Sequence, residues 1–258
     1  MIREANASDK IPILKFCKDT FSWGDYIDQV WDFWLAEGNL FIFEKKFSVG
    51  TCHAFYSNDQ IWIEGIRIDP NFRRQKIASD LVKHAELIGK QNGIFFSFML
   101  IDTENTSSLS MANTLDYNVF QTWNFYSLLS KRNSNYDVQF EKSLNRQLYS
   151  HYVNSWRWLP IDDVVLSTFY KQNKIVKSNI DGKNSIAILT DSEHFDKTLI
   201  VTLFSGSQNT TLQIIPFLQN YGMEKNYEKI QILTKEQLPF FDSLEHRISF
   251  HLMKKSLS

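Results

Sequence analysis

A chain of 258 residues is long enough for one large domain or two small ones with real cores, and 43% hydrophobic content with 21 Phe and 7 Trp excludes a disordered protein. Lys and Arg (28) balance Asp and Glu (29), so the basic excess of a generic nucleic-acid binder is missing. Two cysteines, Cys17 and Cys52, exclude a disulfide framework and fit a reducing compartment; no apolar run reaches the ~18 residues of a membrane span, and the polar start MIREANASDK has no signal-peptide core, so the expected location is the cytoplasm.

Ile2 to Asn6 reads as a short first strand. A helix follows from Ile11 to Phe21, with Asp9 near its cap and Pro12 in its first turn. Ile27, Val30, Trp31, Trp34 and Leu35 form one apolar helical face, which Gly38 ends. Three strands fit the run from Leu40 to Asp69, with turns at Lys45–Ser48 and Ser57–Gln60. A helix is expected from Ile77 to Gln91, with Ile77, Leu81, Ala85 and Ile88 inward and Asn92-Gly93 at its end. IFFSFMLID then reads as a buried strand, NTSSLSMANTL as a short helix and YNVFQTWNFYSLL as a long strand. SKRNSN (Ser130 to Asn135) has the composition of a linker. Beyond it a helix is expected near Phe140–Tyr152, then the strands SIAIL and TLIVTLF, the helix TTLQIIPFLQNY and the strands KIQILT and RISFHLMKK. Strand, loop, helix, strand recurs, so the second half reads as a diverged copy of the first.

The stretch IRIDPNFRRQKIASDLV, Ile66 to Val82, places Arg73, Arg74 and Lys76 where a helix begins. A helix N-terminus carries partial positive charge, so cations gathered there point to an anion between them, unless the turn is simply solvated. A strand feeding a tight turn and a helix N-terminus can hold a pyrophosphate through backbone N–H groups, with Arg and Lys on the rim.

The same stretch resembles the acetyl-CoA signature of the GNAT superfamily of N-acetyltransferases, roughly V-x-P-x-x-[Q/R]-x-x-G-x-[G/A]. Ile68, Pro70, Arg73, Ile77 and Ala78 stand where that pattern expects them. The order of elements over residues 1–130 agrees, and NTSSLSMANTLDY supplies Asn105 and Ser108 for the family's second motif. The resemblance implies acetyl-CoA as co-substrate, held by Ile66, Arg67, Ile68, Arg73, Arg74, Gln75, Lys76, Ile77, Ala78, Ser79, Asn105 and Ser108. Three positions depart from the family. Lys76 replaces the first signature glycine; its N–H can serve if φ is negative, with the side chain turned outward towards a CoA phosphate. Asp116 replaces a second glycine, and Ala112 stands where many members place the tyrosine that protonates the thiolate.

Direct attack of an amine on the thioester needs a base and an N–H donor for the oxyanion. The resemblance draws the donor from Ile66 to Ile68. Glu64 is the first candidate base, on a strand face shared by alternation with Trp62 and Ile68; it could equally be a solvated residue or an ammonium ligand. His53 is the second candidate, with an ordinary structural role as the alternative. Gly65 marks a bulge or a close backbone approach. Tyr26, Trp31 and Trp62 are candidate acceptor-lining residues, the two Trp also fitting a core. No histidine spacing suggests a metal. In the second half, Ser205, Gly206 and Ser207 replace the signature turn and retain at most weak anion binding. Trp156 and Trp158 fit either an interface or a core.

The expected fold is therefore α/β (α+β). Residues 1–131 form a GNAT-like mixed, mostly antiparallel sheet flanked by helices, and 132–258 a smaller, degenerate GNAT-like domain. The expected function is acetyl transfer to a primary amine of a small molecule or amino acid. A protein N-terminus or lysine is the alternative acceptor, and a non-catalytic acetyl-CoA-binding module the alternative class. Expected partners are the small-molecule amine and a second copy in a homodimer, with neither nucleic acid nor membrane.

Overall fold

The computed structural model describes residues 1–18, 20 and 24–257. The chain divides into two compact units, Met1–Phe120 with His251–Ser258, and Gln121–Phe250. The sequence places a boundary at 131/132; the observed division lies earlier, and the last eight residues return to the first unit.

In unit 1, β1 (Ile2–Glu4) is followed by a 3-10 turn at Ala7–Asp9, α1 (Lys10–Cys17) and α2 (Ile27–Glu37). The expected first helix extends over Asp19 and Phe21, which lie outside the described residues. The turn is closed by a capping box: Asn6 accepts from the Ser8 N–H, and the Asp9 carboxylate accepts from the Asn6 N–H. Asp9 also takes two hydrogen bonds from Arg3 and one from Ser48, tying the turn to two strands. Gly38 ends α2 at φ 89°, its N–H returning to the Trp34 carbonyl.

β2 (Leu40–Glu44), β3 (Ser48–Ser57) and β4 (Gln60–Ile68) form an antiparallel meander with β1 on its outer edge. Then α3 (Ile77–Gln91) crosses over to β5 (Phe96–Asp102), which is parallel to β4. One face of the meander and the apolar stripe of α3 (Ile77, Leu81, Val82 and Ala85) form the core. α4 (Thr106–Thr114) follows, and β6 (Asn118–Leu128) begins at the end of the unit. The unit's sheet is completed beside β5 by the distal part of β14 (Leu244–Ser256), with Met253 and Leu257 in the core. A buried polar cluster secures this segment. Glu86 of α3 accepts from Tyr117 Oη at 2.8 Å and from Lys255 Nζ at 2.7 Å, and Tyr117 Oη lies 2.5 Å from Ser97 Oγ. Burial, and then the Glu86 charge, push the Tyr117 hydroxyl well above its ordinary value.

In unit 2, residues 129–138 pack along α6 (Gln208–Glu224), where Lys131 and Asn133 bond Gln219 and Asn220. β7 (Gln139–Phe140) leads to the hairpin β8 (His151–Asn154) and β9 (Arg157–Pro160), then α5 (Asp163–Lys171). β10 (Ile175–Ile180), β11 (Lys183–Asp191) and β12 (Thr198–Phe204) form a second antiparallel meander. α6 then crosses to β13 (Lys229–Thr234), parallel to β12, and β6 pairs antiparallel to β13. Unit 2 thus repeats the meander, helix and parallel strand of unit 1. The helix expected near Phe140–Tyr152 is absent. Glu and Asn side chains there satisfy nearby backbone groups instead: Glu141 accepts from the Lys142 and Ser143 N–H groups, and Asn145 from the Gln147 N–H. Trp158 is core, edge-on to Trp123, and Trp156 packs between Phe125 and Phe250, all within unit 2. Among the described residues, no helix is long and apolar enough to cross a membrane.

Candidate active site

The site begins with a fault in the β3–β4 ladder. His53 pairs with Glu64, but Thr51 pairs with Arg67, so β4 carries one extra residue opposite Cys52. Gly65 takes φ 62° at this bulge, and a Cβ there would lie 2.4 Å from Trp34 Cζ3, so both the backbone angle and the close approach require glycine. The bulge inverts the face of everything after it. Trp62, Glu64 and Arg67 share one face, while Ile68 lies opposite Gly50 on the face turned to α3. The face shared by Glu64 and Ile68, expected from simple alternation, is corrected accordingly.

The second local feature is a gap. β4 and β5 pair only from Gln60↔Phe96 to Trp62↔Phe98, although β4 continues to Ile68 and β5 to Asp102. The strands therefore part at the bulge, and the backbone of β4 from Ile63 onward has no ladder with β5.

β4 feeds the basic turn. Asp69 caps a 3-10 turn at Pro70–Phe72, and Arg73 is extended. Arg74 and Lys76 both take left-handed φ, 61° and 62°. A left-handed residue beside a right-handed one, as Lys76 stands before the helical Ile77, turns successive N–H groups towards one spot. Lys76 is the N-cap of α3 and supplies no side-chain hydrogen bond to it, so the first-turn N–H groups of Ile77, Ala78 and Ser79 are not capped by it. Arg73, Arg74, Gln75 and Lys76 are exposed; Lys45 reaches Gln75 at 2.6 Å. The negative φ set as a condition at Lys76 is not met: the lysine holds the left-handed conformation most easily taken by glycine. Asp116 does the same at φ 67°, so two positions where the family resemblance expects glycine keep the backbone without the residue.

The face opened by the bulge carries a chain of ionisable groups. His53 Nδ1 lies 2.9 Å from Glu64 Oε1, and His53 Nε2 lies 3.1 Å from the Gly38 carbonyl and 3.3 Å from Glu37 Oε2. The imidazole is fully buried and stacks on Trp34 at 4.8 Å between ring centroids, nearly coplanar at 7°. A carbonyl only accepts, so Nε2 carries hydrogen; the contact between Nδ1 and a carboxylate then requires a second proton between them. The ligand atoms of Glu37, His53 and Glu64 lie within 4.8 Å of one another, but the carboxylates sit at opposite nitrogens of one ring. One metal ion cannot take both nitrogens, whereas a proton-sharing chain uses both.

Other expected residues fall into different surroundings. The Arg67 guanidinium is committed to Asp25 through Nε (2.6 Å) and Nη2 (3.0 Å) and lies over Tyr26, so Arg67 offers the co-substrate its backbone only. Tyr26 is half-buried at the start of α2, and burial raises its hydroxyl. Trp31 is fully buried and Trp62 nearly so, stacked on Phe98; both are core, which corrects their expected place in an acceptor lining. Asn105 Oδ1 caps α4 by accepting from the Ser108 N–H. Ala112 is fully buried in the core. The reasoning from sequence missed Asp25, Trp34 and Glu37. Their common signal is long-range: all three lie on α2 or just before it and meet β3 and β4.

Unit 2 lacks the equivalent site. β12 and β13 pair through six successive residues, with no gap. Ser207 is an ordinary N-cap, and the Gly206 N–H is taken by Ser185 Oγ. A Cβ on Gly206 would lie 2.0 Å from the Asn184 carbonyl, so backbone fills the space an anion would need. The weak anion site expected at Ser205–Ser207 is therefore closed.

Comparison with known proteins agrees. Residues 10–117 match the Acetyltransferase (GNAT) family. A Thermoplasma acidophilum protein assigned as an acetyltransferase is 14% identical, with TM-score 0.67 over 99% of each chain. A GCN5-related N-acetyltransferase from Sphaerobacter thermophilus is 8% identical, with TM-score 0.65 over 100% of this chain and 95% of that one. A GCN5-related N-acetyltransferase from Anabaena variabilis is 11% identical, with TM-score 0.51 over 100% of this chain and 73% of that one. At these identities the structures speak for the fold. No curated protein matches significantly. By class, the protein is an acyltransferase. The match to the Acetyltransferase (GNAT) family lies in the domain at residues 10–117.

Proposed function

We propose that the protein transfers the acetyl group of acetyl-CoA to a primary amine of a small molecule or amino acid. The observation that carries this reading is the continuity of three features in unit 1: the bulged strand with Glu64, the gap between β4 and β5, and the uncapped, doubly left-handed turn into α3.

The N–H groups from Arg74 to Ser79 would bind the pyrophosphate, with Arg73, Arg74 and Lys76 on the rim. The pantetheine arm would lie along the unpaired edge of β4. A backbone N–H at Ile66–Ile68, released from the ladder by the bulge, would meet the carbonyl oxygen as it becomes an oxyanion. Glu64 would take a proton from the amine. Nitrogen then bonds to the carbonyl carbon, the C–S bond breaks, and the thiolate departs without a tyrosine acid at Ala112; its pKa near 8.5 makes that tolerable.

The first test is thermal unfolding with acetyl-CoA. At ~100 times its dissociation constant the ligand should add about 2.7 kcal/mol, or roughly 5–10 °C. No shift would overturn the co-substrate site. Thiol release is then followed across amino acids and polyamines. Glu64→Gln should lower kcat/KM by about 10²–10⁴; binding without thiol release for any amine would favour a non-catalytic acetyl-CoA module.

A further inference from the structure

We propose that Glu37 and His53 are positioning residues for Glu64, forming a carboxylate–imidazole–carboxylate chain that keeps Glu64 in its basic form. The inference rests on the reading of Glu64 as the base.

Glu64 is only 15% exposed at its side chain, and a carboxylate so placed tends to neutralise unless a positive partner opposes this. His53 is that partner. One proton lies between Nδ1 and Glu64 Oε1, and the Nε2 hydrogen is held by the Gly38 carbonyl. With the shared proton on the ring, the imidazolium faces two carboxylates and the indole face of Trp34, each of which favours a cation. Glu37, 20% exposed at the end of α2, supplies the second negative charge from the side away from the substrate base. Removing it pushes the shared proton from the ring onto Glu64, and a protonated Glu64 cannot accept from an amine.

The groups facing this chain leave the assignment intact. Glu37 faces it from α2, and β2 presents Leu40 opposite His53. From β3, the Cys52 thiol is fully buried and pushed up by burial and then by the Glu64 charge. Tyr26 is raised by burial, with Glu64 and Asp25 adding and Arg67 opposing. Arg67 is paired with Asp25. The His53 ring stays in direct contact with Glu64, Nδ1 to Oε1 at 2.9 Å.

The test uses Glu37→Gln, His53→Asn and Glu64→Gln in the full chain. In nitrogen-15 spectra of labelled histidine, the His53 ring is identified by its loss in His53→Asn. Its signals should move towards those of the neutral ring in Glu37→Gln and in Glu64→Gln relative to the unaltered protein. With acetyl-CoA and amino-acid or polyamine acceptors, Glu37→Gln should move the acid limb of kcat/KM to higher pH while the plateau stays within about threefold. It should have no further effect in a Glu64→Gln background. Glu37→Asp should restore part of the limb. Unmoved His53 signals in Glu37→Gln would overturn the coupling alone. A fully active Glu64→Gln would overturn the base assignment, and with it any catalytic role for Glu37, even with the coupling intact. A rate loss in Glu37→Gln that is equal at all pH values and additive with Glu64→Gln would show a merely structural residue.

Discussion

Gly65 governs more of this site than any charged residue. Its missing Cβ lets Trp34 lie against β4, and the same indole supports the His53 ring that meets Glu64. Gly65→Ala combines a left-handed alanine with an overlap on a buried indole, so it should cost about 2–4 kcal/mol, read as a lower urea midpoint with unchanged slope. Lys76 presents the opposite case, a side chain held where glycine is at ease. Lys76→Gly should raise stability by about 0.5–1 kcal/mol in the absence of ligand, the relief of left-handed strain exceeding the added chain entropy; thermal unfolding checks the sign. Part of this was legible beforehand. The turn at Ser57–Gln60 alone sets the register that pairs His53 with Glu64, since each step outward moves one residue on each strand. The bulge was legible at Gly65, read as a bulge or a close backbone approach, and both are found. Its effect on the face of Ile68 was not legible, because alternation carries no mark of where it is interrupted.

Elements succeed or fail here by whether their hydrogen bonds and apolar faces are local. Among the described residues, the helices and strands expected between Ile2 and Leu128 form, with Gly38 ending α2 and Asn92-Gly93 ending α3. The segment 140–152 was expected to be helical, but its Glu and Asn side chains compete successfully for the backbone. The hairpin strands β8 and β9, four residues each, carry too few residues for a period to show. The 3-10 turn before α1 has its own pH signature. Burial alone would raise the Asp9 carboxyl, but hydrogen bonds from Arg3, the Asn6 N–H and Ser48 overcome it and hold the group below its ordinary value. A depressed carboxyl contributes stability that is present above the unfolded value near 3.9 and is lost as pH falls through the folded value. The urea midpoint should therefore decline below about pH 4, and decline less steeply in Asp9→Asn. At the other end of unit 1, Lys255→Met leaves Glu86 buried beside Tyr117 without its cation. It should cost about 1.5–3 kcal/mol, whereas Lys254→Met, which removes only contacts with Phe96, Phe98 and Phe120, should cost less.

At the scale of the molecule, two units share one order of strands and differ in whether the parallel pair opens. Three paired positions and then a gap in β4–β5, against six unbroken pairs in β12–β13, separate a unit that can admit a ligand from one that is sealed. The recurrence of strand, loop, helix and strand was visible in the sequence; the return of residues 251–258 to unit 1 was not, because RISFHLMKK carries nothing that names its partner. That return has a consequence for how the protein is made. The signature turn leaves the ribosome early, yet the unit that contains it cannot close its sheet until all of residues 121–250 have been synthesised as well. Growing chains therefore carry the turn at residues 70–76 on an unfinished core, and any chain cut short within β14 should be recovered as a protease-sensitive species.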